Sequence, residues 1–64
     1  MYEFNEINLI KANKSIRQAL WNYFEYRYQC NDELADWWIT IYKQRIQFFC
    51  MKFNCSQETL AQYF

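Results

Sequence analysis

Neither glycine nor proline occurs anywhere in the 64 residues, and this double absence constrains the fold more than any other feature of the chain. The two residues are the strongest punctuators of tight turns. Two-residue hairpin turns between antiparallel strands need central residues at positive φ, which glycine supplies most readily, so β-hairpins of the usual kinds lack their turn residues. Helices joined by short polar connectors remain. The expected fold class is all-α, a small bundle of three to four helices around a long third helix at about 33–53, making a single helical domain over 1–64.

Three polar breaks divide the chain. Near Asn13, the run Ser15-Ile16-Arg17-Gln18 reads as a capping box, in which the serine hydroxyl accepts from the Gln18 backbone N–H and the Gln18 side chain reaches back. In Cys30-Asn31-Asp32-Glu33, Asn31 or Asp32 can cap, and the acidic pair suits the positive end of the helix that follows. In Asn54-Cys55-Ser56, Ser56 is the cap and Glu58 lies in the first turn. These breaks predict helices over 4–12, 16–30, 33–53 and 57–63.

The 33–53 helix is the most informative. At 3.6 residues per turn Ala35, Trp38, Ile39, Tyr42, Ile46, Phe49, Cys50 and Phe53 form one apolar stripe, a core face. Leu34, Trp37, Ile41 and Phe48 widen it to an arc of roughly 220°, about twice what a helix packed on one side needs. Either the other helices wrap it or part of the arc faces a partner. Helix 16–30 has its own apolar set, Ile16, Ala19, Leu20, Tyr23, Phe24, Tyr26 and Cys30, with Trp21 and Tyr28 left off the main stripe.

A chain this short has a thin stability margin, and small scaffolds compensate with disulfides, metals, dense packing or association. Cys30, Cys50 and Cys55 are odd in number and follow no secretory signal, so they are read as reduced apolar fillers. A zinc site would need about four ligands in close array, and the chain has no histidine and no Cys-x-x-Cys motif. Dense packing and association are left. Six Phe, six Tyr and three Trp carry more bulk than so small a core absorbs, and Tyr and Trp are the side chains enriched at binding hot spots.

Formal charge is zero, from seven basic and seven acidic residues, which argues against direct nucleic-acid binding. Lys11, Lys14 and Arg17 form a short basic run that reads as a solvated face. The closing stretch from Ser56 to Phe64 resembles the first helix of a helix-turn-helix, but no recognition helix follows it. No apolar run approaches the ~20 residues of a membrane span. Without histidine there is no Ser-His or Cys-His pair, and without glycine no phosphate-cradling loop. The carboxylates Asp32, Glu33 and Asp36 are explained by their place at a helix start. The chain is therefore read as a non-enzyme, with no cofactor, no metal and no membrane association, in the cytoplasm.

Over most of its length the chain resembles the Hha/YmoA family of small four-helix bacterial proteins. Ile7, Ile10 and Lys11 match apolar and basic residues of that family's first helix, and Ser15-Ile16 its Thr-Ile start of the second. Asn31-Asp32-Glu33-Leu34 is similar to its acidic entry to a long third helix, Trp37-Trp38 to its aromatic pair, and Lys52-Phe53 to the Lys-Leu near that helix's end. The family's mid-helix Asp-His-Arg falls on Tyr42-Lys43-Gln44, and its first-helix Cys on Asn13. Asp32-Glu33 with Ala35-Asp36 also resembles the turn of the Rop helical hairpin. The Hha/YmoA resemblance implies a modulator of transcription that docks on the helical oligomerisation domain of an H-NS-type nucleoid protein.

The reading that follows is a protein–protein interaction module. Its expected contacts are Trp21, Tyr28, Trp37 and Ile41, with Asp32, Glu33 and Asp36 steering a basic partner surface. Two other forms of the same reading are a phage- or plasmid-encoded inhibitor that blocks a host or defence protein, and a structural homodimer.

Overall fold

A computed structural model describes residues 3–62. Its order is α1 (Glu6–Tyr28), α2 (Asp32–Phe53) and α3 (Gln57–Ala61). The all-α expectation is met, with no strand among the described residues. The four-helix division is not: the segments expected at 4–12 and 16–30 are one helix of 23 residues, so the long 33–53 helix is the second element and not the third. The architecture is a two-helix hairpin with a short third helix folded against its open end. The molecule measures 38 × 17 × 17 Å, its long axis matching the ~34 Å rise of a 23-residue helix.

The break expected at Asn13 fails because a capping box is only a local alternative to helix propagation. With no proline or glycine in the segment, the helix continues wherever tertiary packing rewards it. Here the packing does so on both sides of Ser15. Ala12, Ile16 and Ala19 are each buried to within 1% of complete, so interrupting the helix would pull apart the stripe that faces α2.

Every helix start carries an Asn or Ser cap. The Asn5 Oδ1 accepts from the Asn8 N–H at 2.9 Å, the Asn31 Oδ1 from the Leu34 N–H at 3.3 Å, and the Ser56 Oγ from the Thr59 N–H at 3.1 Å. Glu6, Asp32, Glu33 and Glu58 occupy first turns, where the macrodipole favours negative charge. The predicted caps Asn31 and Ser56 are thus in place. Position 63, the expected end of the last helix, lies outside the described residues.

Both long helices end in the same way, without the glycine that usually serves there. After α1, Cys30 takes φ 59°, its N–H donates to the Arg27 carbonyl, and the Asn31 N–H donates to the Tyr26 carbonyl. After α2, Asn54 takes φ 54°, donating to Met51, while the Cys55 N–H reaches Cys50. These are paired 6→1 and 5→2 bonds, the Schellman arrangement. Asparagine tolerates this conformation; cysteine bears a Cβ penalty.

The core lies toward the open end of the hairpin. Ala12, Ile16, Phe53 and Leu60 form its buried centre, flanked by Leu9, Tyr42, Ile46, Phe49, Cys50 and Cys55. Phe53 packs T-shaped against Phe4 at 5.5 Å and stacks on Phe49 at 6.3 Å. Alanine at positions 12, 19 and 35 lets the helices approach closely, which leaves room for few large side chains between them. Narrow contact between two helices is what strands so many bulky residues outside.

Candidate functional site

The hairpin uses one face of each helix for its own core, and each helix carries a second apolar seam on another face. On α1 the second seam is Ile7, Ile10, Lys14, Arg17, Trp21, Phe24 and Tyr28, all exposed. Its spacing alternates three and four residues, the 3.5-residue repeat by which one helix lies along another. The seam points roughly 150° away from the buried stripe of α1. Trp21 is 70% exposed and Tyr28 87%.

On α2 the corresponding seam is Leu34, Trp37, Ile41, Gln44, Phe48 and Met51, again in alternating threes and fours. Trp37 is 59% exposed and Met51 81%, while Ile41 is half-buried. Phe48 is partly occupied within its own helix, edge-on to Phe49 at 5.1 Å and with the Lys52 ammonium 5.4 Å from its ring centre. Helical register places this seam on the opposite flank of the hairpin from that of α1.

The expected contact residues are therefore divided. Trp21 and Tyr28 belong to the α1 flank; Trp37 and Ile41 belong to the α2 flank, with Asp32, Glu33 and Asp36 exposed in its first turns. Ile41 departs from the exposed contact anticipated for it, because neighbouring side chains cover part of it. Phe24 and Cys30, assigned to the core from their periodicity, are exposed. Phe24 belongs to the outer seam, and Cys30 sits in the inter-helix turn. Met51 is an exposed apolar residue not singled out from the sequence, and Ile7 and Ile10, named there for the family resemblance and not as contacts, are exposed as well. The alternating spacing that groups them was present in the chain, but a second seam is meaningful only once the first is known to be occupied.

An open groove of about 410 Å³ is lined by Phe4, Asn5, Glu6, Leu9, Ile10 and Asn13, with one carboxylate and no nucleophile. Among the described residues no three His, Cys, Asp or Glu side chains are grouped to hold a metal ion, and no helix is long and apolar enough to cross a membrane. Cys50 is half-buried, and that burial, with the neighbouring Cys55 thiol, pushes its pKa above the ordinary value of 9.0. This makes it a poor nucleophile near neutrality.

No protein-family model, curated protein or solved structure matches this chain.

Proposed function

We propose that the chain is a non-enzymatic protein-binding module that receives a helix of another protein along the outer seam of α2. One observation carries the reading: Leu34, Trp37, Ile41, Gln44, Phe48 and Met51 repeat the helix-packing spacing on a helix whose core face is already filled. An isolated hairpin needs one seam per helix, and α2 has two. Trp37 is the anchor, a large rigid side chain suited to a hot spot. Asp32, Glu33 and Asp36 beside it favour approach of a basic surface and raise the association rate more than the final affinity.

The specific form is the one that the Hha/YmoA resemblance implies, a modulator of transcription docked on the helical oligomerisation domain of an H-NS-type protein. The helix start at Ser15 that contributed to that resemblance is interior to α1; the acidic entry and Trp37 remain at the start of α2. Calorimetric titration against such a domain tests it, with Trp37→Glu as the control. Saturable binding abolished by the substitution supports the modulator; absence of binding rejects it. A photo-crosslinking residue at position 37 in bacterial cells tests the general reading. One dominant crosslinked protein, lost when Asp32, Glu33 and Asp36 are changed to lysine, supports a docking module, and a nuclease or polymerase subunit in that role would make it an inhibitor. A diffuse crosslinking pattern, or none, overturns the proposal.

A further inference from the structure

The outer seam of α1 differs from that of α2 in having two cations, Lys14 and Arg17, at its centre, between Ile7 and Ile10 on one side and Trp21, Phe24 and Tyr28 on the other. Neither cation has an acidic partner among the described residues. A neutral apolar helix would leave both charges buried without compensation, a costly arrangement. The seam therefore asks for an occupant that presents ring faces to its middle. This chain is itself such an occupant.

We propose that α1 pairs with α1 of a second copy, antiparallel, in the register where the numbers of facing seam residues sum to 38, those of flanking residues summing to 36 along one edge and 40 along the other. This extends the docking-module reading to the other flank of the hairpin and names the partner there. In that register Arg17 lies on Trp21 of the other copy, Lys14 on Phe24, and Ile10 on Tyr28, each twice by the two-fold symmetry. The cations then meet ring faces, the arrangement in which Arg on Trp is among the most favourable. Residues flanking the seam agree. Lys11 comes opposite Glu25 of the other copy, Asn13 opposite Arg27, and Leu20 opposite itself, so no like charges face each other. Glu25, which within its own helix accepts from Gln29 at 3.0 Å, keeps a free carboxylate oxygen for Lys11.

Other pairings are worse for stated reasons. A parallel pair sets Lys14 on Lys14 and Arg17 on Arg17. The antiparallel register one heptad shorter places Lys14 against Arg17 twice, four cations in two adjacent layers. The register one heptad longer leaves Ile10 and Lys14 outside the contact. Because α2 lies on the far side of α1, the pair forms without displacing it, giving a four-helix layer with the α2 seams still free at both edges. A single helix-to-helix contact of ~34 Å is a small interface, so the association is dynamic and shows at micromolar concentrations and above.

Sedimentation equilibrium of the full chain, over a concentration series on the order of 1–100 µM, tests the inference. The expected result is a shift from 8.1 kDa toward twice that mass. Trp21→Glu abolishes the shift with unchanged helical circular dichroism. Lys11→Glu alone weakens dimerisation about tenfold, Glu25→Lys does the same, and the double reversal restores it, because the two sites face each other only in this register. A chain that stays monomeric throughout, or a dimer indifferent to these substitutions, overturns the inference. Either result leaves the α2 reading intact, since that rests on crosslinking at position 37.

Discussion

Arg45 donates from its Nη1 to the backbone carbonyl oxygen of Ser15 at 2.7 Å, tying the middle of α2 to the middle of α1 across 30 residues of sequence. The bond is part-buried and charge-assisted, and the Ser15 carbonyl is the group that a helix break at this point would have turned elsewhere. Arg45→Met keeps the length and apolar stem of the side chain but removes the donor. It should lower stability by about 1–2 kcal/mol. The expected fall in melting temperature is ~4–8 °C per kcal/mol for a domain of this size, and a thermal melt showing no change would assign the bond no energetic weight.

Cys30 holds a left-handed conformation, φ 59°, at the end of α1, where an L-residue other than glycine bears a steric penalty of about 1 kcal/mol or more. Its side chain is exposed and leaves the core untouched. Cys30→Gly should therefore stabilise the hairpin by roughly 0.5–1 kcal/mol, the relieved strain being partly offset by the greater freedom of glycine in the unfolded chain. Urea denaturation would register this as a higher midpoint at unchanged slope.

Two isoleucines on α1, nine positions apart, should behave oppositely. Ile16 is 1% exposed in the core, and Ile7 is 67% exposed on the outer seam. Ile16→Ala is expected to cost 2–4 kcal/mol or so, enough in so small a domain to populate the unfolded chain at room temperature. Ile7→Ala should stay within about 0.5 kcal/mol. Equal losses at the two positions, read by chemical denaturation, would contradict the division of α1 into an occupied face and an outer one.

The raised pKa of Cys50, caused first by burial and then by the nearby Cys55 thiol, makes stability depend on pH in the alkaline range. The folded state holds the Cys50 proton more tightly than the unfolded chain does. Its contribution is complete below the unfolded pKa near 9.0 and is lost as pH rises through the higher folded value. Cys50→Ala should flatten that alkaline decline. Timed alkylation followed by mass spectrometry should label exposed Cys30 first and Cys50 more slowly; faster labelling at Cys50 would refute the burial.

Much of α2 was legible before any coordinates. Its bounds, Asp32–Phe53, fall within a residue of the expected 33–53, and Asn31 caps it. The stripe from Ala35 to Phe53 is buried or half-buried along its length, and Asp36, Thr40, Lys43, Gln44 and Gln47 are exposed as their polarity requires. These successes share a cause: one strong apolar period, bounded by residues whose side chains bond their own backbone. Where two local signals compete, the reading fails. The box at Ser15 to Gln18 is a valid helix start that Ala12, Ile16 and Arg45 override from a distance. Phe24 fits an apolar period on α1 equally well inside or outside, and local spacing contains nothing that chooses.

The chain by itself determined that it is helical, where α2 and α3 begin, and that its aromatic side chains exceed its interior, because composition, caps and period act over a few residues. Tertiary structure alone decided that α1 runs unbroken through Ser15 and which of its two apolar faces is spent on α2. That choice rests on the close approach allowed by Ala12, Ala19 and Ala35, and the fit between two helices is a property of the pair, absent from either sequence pattern alone.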